Sequence, residues 1–164
     1  MKNITPRTKG FITAIIMIVL ALIFFYVLKQ PFDSNYQFII YAVYAAGIIW
    51  CLLDFKKTAP ENSKFKDYFS AGFKMFVIVT LIMVFFVLIF FYLNPQITGA
   101  RLAENNKLLL AEGNHTPAEI EKNANEMKRI FIPMMLGITT FMYLFLGALI
   151  TAITSAFLIQ KNKI

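Results

Sequence analysis

Four long stretches without a charged residue alternate with polar segments along this chain: Gly10–Leu28, Tyr36–Leu53, Met75–Leu93 and Ile130–Ile159. Each reaches about 18 residues or more, and at about 1.5 Å per residue that crosses a hydrocarbon core about 30 Å thick. A helix satisfies its own backbone hydrogen bonds in lipid, so helices are the expected form of such stretches. Alternating segments of about ten residues, the mark of a membrane barrel, are absent. The pattern therefore predicts an all-α chain. It would form one membrane domain over residues 1–164, a four-helix bundle with spans at about 10–28, 36–53, 75–93 and 131–159.

The segments between the spans carry their own signals. Lys29-Gln30-Pro31-Phe32-Asp33-Ser34-Asn35 is short and rich in turn formers, so spans one and two read as antiparallel neighbours. Tyr26, Phe32 and Tyr36 flank it as interface anchors, and Trp50 does the same near the other end of span two. After a polar loop, Lys56 to Ser63 with Pro60 as a breaker, Phe65, Tyr68, Phe69, Gly72, Phe73 and Phe76 recur at helical spacing among Lys64, Lys66, Asp67 and Lys74. That reads as an amphipathic helix in the headgroup layer leading into span three. The 95–129 segment reads as a helical hairpin. Asn94-Pro95 breaks span three and opens a first arm that stops at Gly113. Thr116-Pro117-Ala118-Glu119 is a capping box with proline in first position, opening a second arm. Ile120, Ala124, Met127 and Phe131 form the apolar face of this arm, which runs on into span four, with Pro133 allowing a bend.

Composition agrees with the pattern. Of 164 residues, 59% are apolar, more than a soluble domain of this size could keep from water. The net charge of +7 raises nucleic acid as a partner, but its distribution explains it otherwise. With both termini on one side, that side holds ten Lys and Arg against six on the other, and the whole net excess lies there. The positive-inside rule then puts both termini in the cytoplasm and the 95–129 hairpin outside, with the excess charge against anionic lipid. The basic N-terminus with its apolar run imitates a signal peptide. The run is longer than an h-region and ends without a small-x-small site, so it reads as a retained span.

Candidate chemistry is sparse. The single cysteine, Cys51, excludes an intrachain disulfide and reads as a small buried apolar side chain. His115, the one histidine, stands in the hairpin turn without metal-ligand company. No ionisable group lies deep in any span, where function alone would hold one. No nucleophile–base set, metal motif or phosphate loop is present, so neither an enzyme nor a cofactor is expected. The positive feature is a stripe of small and hydroxyl residues in span four. Gly137, Thr140, Gly147, Thr151, Thr154 and Ser155 fall within about 100° of the helix circumference, with a lesser version in Ala42, Ala46 and Gly47 of span two. Such residues permit close helix approach and hydroxyl bonding, so Gly137, Thr140, Gly147, Thr151 and Ser155 are expected at a helix-packing seam or a homo-oligomer interface. The alternative is the wall of a polar path in a small oligomeric permease or channel component. The primary expectation is a non-enzymatic membrane protein, a structural or interaction subunit that acts by helix packing, as a homo-oligomer or with a membrane-protein partner. Its outer hairpin reads first as a cap on the bundle or the headgroups, with docking of a partner as the alternative.

Several pieces in order resemble a known family. They are Phe65-Lys66-Asp67-Tyr68-Phe69-Ser70-Ala71-Gly72-Phe73-Lys74, the Asn94-Pro95 break, Gly113-Asn114-His115-Thr116-Pro117-Ala118-Glu119-Ile120-Glu121 with Met127-Lys128, and Gly147-Ala148-Leu149-Ile150 before Lys161-Asn162-Lys163. Over nearly the full chain it resembles the bacterial integral membrane proteins, common in Bacteroidota, known as domain of unknown function 4199. The resemblance implies a four-span α-helical protein and brings no activity or site residues.

Overall fold

A computed structural model describes residues 4–29, 35–60 and 62–160. The tight first connection (residues 30–34) and the tail charges Lys2, Lys161 and Lys163 lie outside the described residues. The elements are α1 (Pro6–Leu22), continued by a π-helical turn over Ile23–Val27, α2 (Gln37–Thr58), α3 (Phe65–Leu93), α4 (Pro95–Glu112) and α5 (Pro117–Gln160). There is no strand among the described residues. Four of the helices, α1 with its π turn, α2, α3 and α5, are long and apolar enough to cross a membrane.

The helix ends follow local chemistry. α1 starts earlier than the apolar run because Thr5 caps it, accepting from the Thr8 amide at 3.3 Å, and Pro6 occupies the first turn. α2 outlasts its apolar run to Thr58 and stops where Ala59 is extended (ψ 141°), the conformation that the following Pro60 imposes. The aromatic and lysine-rich stretch after Ser63 is not an element of its own. α3 runs from Phe65 to Leu93 as one helix of 29 residues, with Tyr68, Ala71, Gly72, Met75 and Phe76 buried from its first turns onward.

The chain packs as two compact units, Met1–Met83 with Thr140–Ile164, and Val84–Thr139. In the second unit, Asn94 ends α3 by folding back. Its amide and its Nδ2 both donate to the Phe90 carbonyl, at 3.0 and 2.8 Å. Gly113 closes α4 in the left-handed region (φ 71°), which glycine enters without a Cβ penalty. Thr116 and Glu119 form the expected capping box. The Thr116 amide donates to Glu119 Oε2 at 2.8 Å, and the Glu119 amide to Thr116 Oγ1 at 3.3 Å. These bonds from the Thr116 backbone and hydroxyl hold the Glu119 carboxyl below its ordinary range. A carboxyl depressed in this way supports the fold above its unfolded pKa, and the support is lost as pH falls through the lowered value. Thr116→Ala should therefore cost about 1 kcal/mol and fray the first turn of α5, read as faster amide exchange at Ala118–Glu121. Unchanged exchange there would show that the box is idle.

α5 has 44 residues with Pro133 inside it, and its first part lies along α4. Asn105 donates to Asn123 Oδ1 at 3.4 Å, Ile120 and Phe131 are buried, and Phe91 meets Phe131 edge-on at 5.4 Å. α4 itself has no buried residue.

Candidate functional site

The most constrained region lies in the unit formed by Met1–Met83 and Thr140–Ile164, where glycines bring helices together. At Gly10 an added Cβ would lie 2.8 Å from the Met75 carbonyl oxygen, so α1 and α3 meet there almost backbone to backbone. At Gly47 it would lie 2.6 Å from Thr13 Oγ1 and 3.0 Å from Met75 Cε, which brings α1, α2 and α3 to one level. At Gly72 it would lie 2.8 Å from Thr151 Oγ1, and at Gly147 2.7 Å from Phe76 Cγ. Real Cβ atoms do not approach this closely, so each position admits only glycine without local movement. Lipid offers no hydrophobic drive between spans, and close approach of this kind maximises the dispersion contact that replaces it.

Gly147 has a second role. The Tyr44 hydroxyl of α2 donates to the Tyr143 carbonyl of α5 at 2.9 Å. Tyr143 stands one turn before residue 147, and a side chain there would meet the Tyr44 hydroxyl. The missing Cβ therefore leaves a helical carbonyl open to a second donor. The buried Tyr44 hydroxyl gains a partner in a place where an orphaned one would be costly. Tyr44 and Tyr143 also pack edge-on at 5.3 Å.

The span-four stripe divides along its length. Gly147, Thr151 and Ser155 are brought together in this core, with Thr151 and Ser155 fully buried. Thr140 is half-buried at the start of the same segment. Gly137 belongs to the Val84–Thr139 unit, is exposed, and has no atom within 4 Å of an added Cβ. In span two Gly47 is buried while Ala42 and Ala46 are exposed.

One pair of residues escapes the sequence reading. Lys9, one of the three basic residues (Lys2, Arg7, Lys9) that the sequence places ahead of the first apolar run, is 3% exposed, and its ammonium binds the Asp54 carboxylate of α2. Lys57 approaches the same carboxylate at 3.9 Å, and the Lys9 ammonium stands 5.4 Å from the Trp50 ring centre. The available signal is Thr5-Pro6. It moves the helix start back to Pro6 and puts Lys9 one turn above Thr13 and two above Met17, on the buried face. Nearby, Lys56 donates to the Leu158 carbonyl at 3.3 Å, tying α2 to the last turns of α5. Cys51 is buried beside this end of α2. His115 pairs with Glu112 at 3.2 Å, and no metal-holding group of His, Cys, Asp or Glu occurs among the described residues.

The described residues thus form a glycine-fastened helix core in one unit and a polar helix pair in the other. The family model described as protein of unknown function (DUF4199) matches residues 8–159. The chain belongs to this family. No curated protein and no solved structure matches it. The DUF4199 match takes in Lys9, Asp54, all the buried glycines and the hairpin alike.

Proposed function

We propose that this DUF4199 protein is a non-enzymatic subunit of a bacterial inner membrane. In this reading its four spans hold a helix pair, α4 with the first turns of α5, for a membrane-protein partner on the outer side. Both termini face the cytoplasm, as the uneven distribution of Lys and Arg favours. The observation that carries the reading is that α4 is an 18-residue helix with no fully buried residue, and that Leu108 and Leu110 are 61% and 63% exposed. A helix gains most of its stability from packing an apolar face, so exposed leucines on one that packs only partly favour contact with something else.

The permease reading has less support. Its wall would be the span-four stripe, and there Gly147 faces Tyr44 and Phe76 while Thr151 faces Gly72. That surface is occupied by neighbouring helices of the same chain, which favours packing. Photo-crosslinking in cells tests the choice, with probes at the exposed Glu104 and Lys122 and a control at the lipid-facing Phe157. The expected outcome is one distinct protein captured at positions 104 and 122 and not at 157. Capture of lipid alone at all three sites would overturn the hairpin's role.

A further inference from the structure

Two hydroxyls in the seam between α3 and α5 lack what a buried hydroxyl needs. Thr151 and Ser155 are 0% exposed, and neither hydroxyl has a hydrogen-bond partner among the described residues. A threonine inside a helix has a partner at hand, the carbonyl four residues earlier. Thr80 takes it, donating to the Phe76 carbonyl at 2.9 Å. Thr151 does not. Its Oγ1 lies 2.8 Å from where a Cβ of Gly72 would stand, so it points across the seam at α3.

Ser155 lies one turn further along α5, on the same side. Gly147 faces Phe76 and Thr151 faces Gly72, so α3 and α5 run antiparallel here, and the next level pairs Ser155 with the buried Tyr68. Two unpaired hydroxyls in such a core would be costly.

The chemistry of the two groups selects their partner. Each hydroxyl both donates and accepts. A hard cation is held by carboxylates and about six oxygens, and no metal-holding group occurs among the described residues. An organic ligand would need more room than a seam closed at Gly72 and Gly147 leaves. Water meets both conditions. Side chains four apart on a helix have Cβ atoms about 5–6 Å apart, and two hydrogen bonds of about 2.8 Å span that gap. Water also has a way in. Leu158, three residues beyond Ser155, accepts from the Lys56 ammonium, so the polar end of the core is one turn away.

We propose that Thr151 and Ser155 bind one water molecule between α5 and α3. The water bridges the two hydroxyls and satisfies both. The seam is dry at Gly147, where Phe76 closes it, and wet one and two turns nearer the polar end.

Water-edited solid-state NMR of the full chain in lipid vesicles tests this. Wild type should show water-to-side-chain transfer at Thr151 and Ser155 and none at Thr80, whose hydroxyl bonds its own helix. T151V keeps the shape, removes one end of the bridge and should abolish the transfer at Ser155. Its unfolding temperature in detergent should fall by about 2–4 °C, and that of S155A likewise. T151V/S155A removes both ends together and should unfold no lower than either single variant. Transfer at Thr151 and Ser155 no greater than at Thr80 would overturn the proposal. So would a rise in unfolding temperature in T151V and S155A, the result for hydroxyls that nothing satisfies, or an additive fall in the double variant.

Discussion

Gly147→Leu should destabilise the protein by about 3 kcal/mol or more and sharply lower its yield in detergent. Two costs combine. An isobutyl group has no room where even a Cβ would lie 2.7 Å from Phe76 Cγ, and overpacking of this kind costs about 1–3 kcal/mol. It also pushes the Tyr44 hydroxyl off the Tyr143 carbonyl, leaving a buried donor unsatisfied for about another 1–3 kcal/mol. Thermal unfolding in detergent, with size-exclusion profiles, is the measurement. Gly137→Leu is the matched control, because nothing surrounds that position within 4 Å, and it should unfold near the wild-type temperature. Equal behaviour of the two variants would remove the Tyr44–Gly147–Phe76 contact from any account of stability.

Asp54→Ala should lower the unfolding temperature in detergent. Removing one partner of an ion pair strands the other charge, and here the stranded charge is the buried Lys9 ammonium. The loss is smaller than for a pair buried on both sides because Asp54 is partly exposed. The informative comparison is K9M/D54L, which removes both charges and keeps the volume, and which should recover most of the loss. Asp54→Asn should resemble Asp54→Ala, since it keeps the size and strands the ammonium. If D54A melts with the wild type, Lys9 finds water from its buried position and the pair is ornamental.

Signals confined to neighbouring residues were readable from the sequence. The four spans follow from uninterrupted apolar runs, the α4 stop from Gly113, and the start of α5 from Thr116-Pro117-Ala118-Glu119, each decided within a few residues. Contacts across the chain were not readable. Lys9 reads as one basic residue among others near the terminus, and only the packing of α1 on α2 brings it to a carboxylate 45 positions later. Gly147 announces itself as small. That its smallness serves a tyrosine on span two depends on a carbonyl that no periodicity marks. Phe65–Lys74 has the same spacing whether it lies flat in a headgroup layer or begins a span. The close contact of Gly72 with Thr151 decides that its inner face packs against α5.

The Lys9–Asp54 pair also ties together two distant points of the chain. The carboxylate that neutralises the Lys9 ammonium lies 45 positions later, at the far end of the next span. A chain cut between these two spans would therefore keep an ionic link between its pieces besides their apolar contact.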